Sequence, residues 1–504
     1  MRNKISILSV LPFLLAFLGA CGGSSHNSTP NEVPVVVSIS DQPSNLGVLS
    51  FDLQITGACL LTSSNAMATS CSGAQNLLPQ TPVTVQLENL QTPLQADVLA
   101  TTNVQAGTYA AVLITFGTAT AAVNVDPNST DKDSATPPHS CTAGATPKIC
   151  ELSPTFTASS VTLPFASAAT LSPGQPTGVS MEFSVADSLV GATAGRTTTF
   201  RITPILAVSV IGGTNSGGSL IDVSNITGPV TGVATTSFTV TDDTTGQAVT
   251  VATFSGTTSF NGFTNCNTNN VACVQVGQIV SVNYTVSDST PLVLSAASVT
   301  NNDGFQNGQA FEGTVVATTP ASMVLVTAVT AGNTQGVTIG QVLTLVPPAS
   351  TGFSVAVPVG QTLPAGASFA AAGDLVVGQN VLIDSTGVDD GVVTSDAIAL
   401  EPTQFNGTVS GLTSPNLTVN GLNNFFSDNG IASIQVQTGT QTTFGGTVAT
   451  FNGLTVGDEA NFDGFLFSGG VGQSPIVFGE NIFDNTSNPG AMKKPSQVSL
   501  GNAR

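Results

Sequence analysis

Apolar residues recur at every second position over much of this chain, the spacing of a strand that buries one face, and not at the spacing of a helix. Ala110, Val112, Ile114 and Phe116 alternate with Ala111, Leu113 and Thr115, which leaves one face more apolar than the other. Val-rich runs that read as strands span Val35 to Ile39, Leu49 to Ile55, Val83 to Leu87, Val104 to Phe116, Ser160 to Phe165, Gly178 to Val185 and Thr199 to Val210. Strands of this kind bury their apolar faces against one another, so residues 34–211 are expected to form a β-sandwich. A polar, glycine-rich run from Ile211 to Ser219 follows, and 212–222 reads as a linker.

Beyond that point the pattern repeats. Gly228-Pro229-Val230, Gly313-Thr314-Val315 and Gly407-Thr408-Val409 stand 85 and 94 residues apart. Each is followed by a second signature: Val276-Gly277-Gln278-Ile279-Val280, Val377-Gly378-Gln379-Asn380-Val381 and Val456-Gly457-Asp458-Glu459-Ala460. Thr-x-Phe elements lie between them, at Thr258-Ser259-Phe260 and Thr442-Thr443-Phe444. The glycine allows a tight bend after one strand, and the alternating residues beyond it carry the next strand back along the same face. Three copies of one β-domain account for the spacing, at 223–302, 309–402 and 403–486. The second carries an insertion over 331–372 with its own Ile339-Gly340-Gln341 and Val359-Gly360-Gln361. The whole chain is therefore expected to be all-β.

Both parts resemble known families. Val37-Ser38-Ile39-Ser40-Asp41-Gln42-Pro43, the turn Val104-Gln105-Ala106-Gly107-Thr108-Tyr109, the stretch from Leu171-Ser172-Pro173-Gly174 to Phe183-Ser184-Val185, and Phe200-Arg201-Ile202-Thr203-Pro204 follow the order of domain-of-unknown-function family 4382. This resemblance implies a transthyretin/Ig-like β-sandwich of a kind found in bacterial lipoproteins, and it lends no chemistry. The order Gly-x-Val, Thr-x-Phe, Val-Gly-Gln-x-Val resembles domain-of-unknown-function family 5666, which implies three small OB-like β-barrel repeats. OB-like barrels often bind polymers through basic grooves and stacking aromatics, and these repeats lack that combination, so fold analogy assigns no function.

Charge narrows the partners. The 504 residues carry nine Lys and Arg and a formal net charge of -20. No Lys or Arg lies between Arg201 and Lys493, a stretch with eighteen Asp and Glu. A field of that sign repels phosphate backbones, so no nucleic-acid partner is expected. The same acidity keeps a chain with only 8% charged residues soluble.

One stretch breaks the alternation. Arg2 and Lys4 precede a largely apolar run from Ile5 to Phe17, which ends in Leu18-Gly19-Ala20-Cys21. This resembles a bacterial lipoprotein export signal: Gly19 and Ala20 suit a signal peptidase, and Cys21 is the residue that takes a thioether-linked diacylglycerol. The resemblance implies a signal peptide at 1–20, lipidation of Cys21, a flexible tether over 21–33 and attachment to a membrane through two or more acyl chains. Gly22, where an Asp would mark inner-membrane retention, points to the outer membrane. No later run reaches the roughly 18 apolar residues of a spanning helix, so lipid is the expected anchor. Residues 487–504, rich in Pro, Gly and Lys, read as a disordered tail.

Six further cysteines fall in close pairs, Cys59 with Cys71, Cys141 with Cys150, and Cys266 with Cys273. In an oxidising compartment local pairing would staple three polar loops, although six cysteines formally allow fifteen connectivities. Zinc finds no Cys-x-x-Cys here, and the histidines are His26 and His139 alone.

Catalytic chemistry is poorly provided for. His139 follows Pro137-Pro138 in a loop, and no Gly-x-Ser-x-Gly elbow accompanies it. Asp389-Asp390 and Asp458-Glu459 would point to opposite faces of a strand, so they read as turn formers rather than acid/base pairs. No enzymatic activity and no obligate cofactor are expected. Ca²⁺ is the candidate ion: Asp126, Asp131 and Asp133 lie in one oxygen-rich loop, although it lacks the full Asp-x-Asp-x-Asp-Gly pattern and turn chemistry explains it as well. Phe425-Phe426 reads as a plug at a barrel end rather than a sugar platform. These readings converge on a non-catalytic cell-envelope lipoprotein whose β-array serves as a surface stalk or adhesive module. The alternative is a ligand-binding module whose inter-repeat loops hold a glycan, Ca²⁺ or an envelope protein.

Overall fold

The computed structural model describes residues 31–41, 48–79, 82–87, 96–125, 140–141, 148–194, 197–212, 219–242, 248–253, 258–263, 270–287, 294–301, 309–329, 333–355, 362–470 and 473–484. Their regular elements are almost entirely strands.

The amino-terminal domain contains β1 (Glu32–Asp41), β2 (Val48–Leu61), β3 (Gln75–Asn76), β4 (Val83–Gln86), β5 (Asp97–Gln105), β6 (Gly107–Val125), β7 (Ser140–Cys141) and β8 (Lys148–Leu152). It continues with β9 (Thr155–Phe156), β10 (Ser160–Leu171), β11 (Thr177–Phe183), the short helix α1 (Val185–Ser188), β12 (Leu189–Ala194), β13 (Thr197–Ile202) and β14 (Leu206–Gly212). One sheet runs β14-β11-β1-β5 and a second β3-β2-β6-β8-β7, with β10 added to β6 and β4 to β2; β12-β13-β9 form a small third. The first two share a core, in which Val35, Val37 and Ile39 of β1 meet Phe51 and Leu53 of β2 and Ile114 of β6. The Phe51 and Phe183 rings stand 5.7 Å apart across it. Tyr109, the aromatic residue of the Val104 to Tyr109 turn, donates its hydroxyl to the Gln105 carbonyl at 2.7 Å and so holds that turn.

The first repeat consists of β15 (Ser219–Val233), β16 (Ser237–Thr241), β17 (Ala248–Ala252), β18 (Ser259–Asn261), β19 (Ile279–Ser287) and β20 (Leu294–Asn301). The second consists of β21 (Ala310–Ala317), β22 (Ser322–Val329), β23 (Val342–Leu345), β24 (Gly352–Val355), β25 (Asn380–Asp389) and β26 (Val392–Glu401). The third has β27 (Thr403–Thr413), β28 (Asn416–Asn420), α2 (Asn424–Asp428), β29 (Ile434–Gly446), β30 (Glu459–Phe467) and β31 (Ile476–Asp484). It closes as a barrel in the order β27-β28-β29-β31-β30, with β29 and β31 parallel, which is a five-stranded closure of OB type. The other two follow the same path with the third strand divided: β17 and β18 both run parallel to β20, and β23 and β24 both run parallel to β26. Strand β15 already begins at Ser219, inside the stretch read as linker.

The repeated signatures have one physical role in all three copies. Gly277, Gly378 and Gly457 adopt φ of 93°, 94° and 103°, a region open to glycine at little cost. Their amides donate to the carbonyls of Val230, Val315 and Val409 at 2.9, 2.8 and 2.8 Å, and those valines donate back to the carbonyls of Gln278, Gln379 and Asp458, each at 2.8 Å. The polar side chain then closes the turn: Gln278 Oε1 accepts from the Gln275 amide at 2.7 Å, Gln379 Oε1 from Val376 at 2.8 Å, and Asp458 Oδ2 from Thr455 at 2.6 Å. The Thr-x-Phe threonines donate to the last strand of their barrel, Thr258 to Ala296 at 2.8 Å and Thr442 to Gly479 at 2.7 Å.

This geometry corrects the reading of 331–372 as one insertion. Thr351, of Thr351-Gly352-Phe353, donates to the Ser395 carbonyl at 2.7 Å as its counterparts do, so β23 and β24 are the regular third strand of the second barrel. The additional residues fall on either side of that divided strand. Ile339-Gly340-Gln341 forms another turn of the same design, with the Gly340 amide on the Val326 carbonyl at 2.9 Å. Val359-Gly360-Gln361 lies outside the described residues.

The domains share cores. Seven consecutive residues of β1, Val33 to Ile39, are buried, because Val36 packs with Ala96 and Val98 into the core of the first repeat while Val35 and Val37 point into the sandwich. Ala122 and Ile149 of the sandwich join Phe405 and Phe462 in the core of the third repeat. Phe465, Phe467 and Phe478 of the third repeat lie in the core of the second. The repeats thus share buried residues with the sandwich and with one another.

Gly378 shows how close this packing is. A Cβ at that position would meet Phe426 Cε1 at 2.5 Å, whereas one at Gly457 would meet nothing within 4 Å. Beside it Gln379 Nε2 donates to the Leu466 carbonyl at 2.9 Å across the junction. Gly457→Ala is expected to cost about 1–2 kcal/mol for its positive φ, and Gly378→Ala a further ~1–3 kcal/mol for overpacking. Urea titration of the two variants checks this; equal losses would refute the close contact.

The Cys59–Cys71 disulfide is formed, with Cα atoms 5.7 Å apart. It lies with Leu61, Ala111 and Leu113 on the outer face of β2 and β6, so the loop it closes covers apolar surface. Cys273 is also disulfide-bonded, and its expected partner Cys266 lies outside the described residues. Cys141 and Cys150 are register partners on β7 and β8. Replacing Cys59 and Cys71 together by Ser is expected to destabilise the sandwich by about 2–3 kcal/mol, measured by urea titration with and without reductant.

Candidate ligand-binding cleft

Strand pairing brings four polar residues together on the outer face of the sandwich. Asp52 and Gln54 of β2 stand opposite Thr120 of β6 and Thr84 of β4, while Phe51 and Leu53 point into the core. Against this polar face the second repeat sets Val329, Val337, Thr338 and Ile339. A cleft of about 340 Å³ separates the two walls. Val337 and Ile339 of that wall come from the residues between β22 and β23.

Asp52 is the unusual group here. Its side chain is 7% exposed and its Oδ1 has no hydrogen-bond partner. Burial pushes its carboxyl well above the usual carboxylate range, since ionisation in a poorly solvated place is unfavourable.

Other carboxyls cluster at the domain junctions. Asp97 of β5 and Asp242, just after β16, are 3% and 2% exposed, where the sandwich meets the first repeat. Burial, and then the charge of Asp242, drive the Asp97 carboxyl well up. Glu312 of β21, half-buried nearby, is pushed up to about 7 by burial, against a hydrogen bond from Thr227 and with Asp242 adding to the rise. In the third barrel burial takes Asp463 up to about 6 despite a 2.8 Å bond from Asn481 Nδ2, and burial with the Asp463 charge takes Glu480 up to about 8. Burial thus raises all four of these carboxyls, Asp97, Glu312, Asp463 and Glu480, above their ordinary range. Among the described residues no group of three or more His, Cys, Asp and Glu side chains is arranged to hold a metal ion.

The residues singled out from sequence fare differently. Cys21, Asp126, Asp131, Asp133, His139 and Cys266 lie outside the described residues. Asp390 (φ 48°) and Gly391 (φ 75°) make the two-residue bend between β25 and β26, a turn as expected. Asp458 closes its own turn. Phe425 and Phe426 are 2% and 3% exposed on α2, whose first amides are capped by Asn423, and the Phe426 ring sits 6.2 Å from Phe405 inside the barrel end. Asp52 escaped notice because Phe51-Asp52-Leu53-Gln54-Ile55 reads as a strand with a solvated outer face; only the docked repeat takes that face out of water.

No known protein family matches the chain, and no curated protein does. Among solved structures, one described as Drosophila Unr CSD456 is similar over 50% of this chain and 94% of its own length, at 9% identity and a TM-score of 0.13. Another, a multidomain protein with nucleic acid binding domains from Streptococcus pneumoniae, is similar over 50% of this chain and 72% of its own, at 13% identity and a TM-score of 0.11. The expectation that no nucleic acid partners this chain is corrected on that finding: a chain it resembles carries such domains, and a shortage of Lys and Arg is not enough to exclude the class. At these TM-scores the likeness carries no argument about what this chain binds.

Proposed function

We propose that this chain is a non-catalytic cell-envelope lipoprotein, held at the outer membrane by acyl chains on Cys21, whose β-domains form a compact structural head. The observation that carries the structural part is core sharing: Val36, Ala96 and Val98 complete the first repeat, and Phe465, Phe467 and Phe478 complete the second. Domains that lend side chains to one another's cores make one stiff body, which suits a structural element better than a flexible string. The basic and apolar leader ending in Leu18-Gly19-Ala20-Cys21 supports export and acylation, and the residue patterns support sandwich and barrels of the kinds in families 4382 and 5666. Mass spectrometry of the native protein is expected to find diacylglycerol on an amino-terminal Cys21, and Cys21→Ser to release the protein from the membrane fraction. An unmodified amino terminus in a cytosolic fraction would refute this reading. A ligand-binding role is the second reading, and the cleft at Asp52 favours it.

A further inference from the structure

Asparagine followed by glycine is a place where a chain readily attacks itself, because the glycine amide nitrogen reaches the asparagine Cγ with no side chain in the way. The pair occurs six times in this sequence, and five copies lie within the described residues, at Asn261, Asn406, Asn420, Asn429 and Asn452. Four of these are held. Asn261 and Asn406 are each 4% exposed, and Asn406-Gly407 runs within β27. Asn429 donates its Nδ2 to the Phe425 carbonyl at 2.8 Å, and the Gly430 amide donates to the Ser427 carbonyl at 2.9 Å. The Gly453 amide, after Asn452, donates to the Thr450 carbonyl at 2.9 Å. At Asn420-Gly421 both residues are exposed, and neither the Asn420 side chain nor the Gly421 amide makes a hydrogen bond among the described residues. Asn420 is also the last residue of β28, so its backbone leaves the strand with the loss of the Thr408 pairing alone.

We propose that Asn420 is a self-modification site, at which the chain converts asparagine to an isoaspartyl linkage just ahead of α2. The Gly421 nitrogen forms a bond to Cγ of Asn420, and Nδ2 leaves as ammonia, carrying off the proton that the Gly421 amide gives up. Water then opens the succinimide ring. Addition at the side-chain carbonyl leaves an ordinary aspartate, and addition at the main-chain carbonyl leaves isoaspartate; either way one water is taken up and one ammonia released. In the isoaspartyl form the backbone runs through Cβ and is one carbon longer between β28 and the α2 residues Phe425 and Phe426. Those rings close the barrel end, where Phe426 stands 6.2 Å from Phe405 and against Gly378 of the second repeat. An added backbone carbon at the entry to α2 shifts the rings from that seat.

Prolonged incubation of the full-length protein near neutral pH, followed by digestion and mass spectrometry, tests the proposal. Asn420 is expected to exchange the mass of its amide for that of an acid, in a peptide that isoaspartyl methyltransferase labels. Conversion there should be roughly tenfold or more faster than at the other four described pairs, where burial or hydrogen bonds must give way first. In a urea-unfolded sample that lead should vanish, which assigns it to the fold and not to the local sequence. Asn420→Gln, whose longer side chain disfavours ring closure, should remove the label from this peptide. Hydrogen exchange in α2 should be faster in the converted fraction than in Asn420→Gln aged alongside it. Earlier conversion at another of the five pairs, or the same lead in urea as in the folded chain, would overturn the site. Unchanged exchange in α2 would overturn its link to the barrel plug.

Discussion

Urea unfolding is expected to show a lower midpoint at about pH 9 than at about pH 5, the reverse of a protein stabilised by ionised carboxylates. Glu312 and Glu480 titrate at about 7 and about 8 in the folded chain against an ordinary 4.5. The native state therefore keeps protons that the unfolded chain has released. The resulting stabilisation is complete below the unfolded value and is lost as the pH rises through 7 to 8. It amounts to about 3 kcal/mol from Glu312 and about 5 kcal/mol from Glu480, upper figures because both side chains keep some contact with solvent. Asp97 and Asp52, also pushed up by burial, act in the same direction. Glu480→Gln should be more stable than the natural chain at the higher pH and should flatten the profile. A midpoint that rises from pH 5 to pH 9 would show that these carboxyls are ionised in the fold.

The second large effect tests core sharing. Phe462 is fully buried and stacks on Phe405 with ring centroids 5.2 Å apart. Truncation to Ala leaves a cavity worth about 3–5 kcal/mol. The loss should not stay within the third barrel. Phe465, Phe467 and Phe478 on β30 and β31 belong to the core of the second repeat, so loosening the third exposes the second. Hydrogen exchange is expected to accelerate in β25 and β26 as well as in β30 and β31. Exchange that rises in the third repeat alone would show that the barrels unfold independently, and the compact head would be lost with it.

The two regions differ in how far periodicity could be read. Period-two alternation marked β6, where Val112, Ile114 and Phe116 are buried in the sandwich core as drawn from sequence. In β1 the alternation is absent, since seven buried residues in succession serve two cores. A strand covered on both faces reads as a continuous apolar run, and nothing local says what covers the second face. The second repeat shows the same limit. Its Thr351-Gly352-Phe353 was hidden in sequence by the longer loops around β23 and β24, and only the hydrogen bond from Thr351 to Ser395 identifies it.

The sequence alone determined what local chemistry controls. Alternation set the strands, Val-Gly-Gln set the turn because a positive φ wants glycine and the following side chain must reach back to a backbone amide, and close cysteine spacing set the Cys59–Cys71 staple. Tertiary structure decided which surfaces meet. The return of the barrels onto the sandwich, the contact at Gly378 and the seclusion of Asp52 depend on faces brought together from residues far apart in the chain. Burial is a property of both partners, and the pattern of one strand records only its own side.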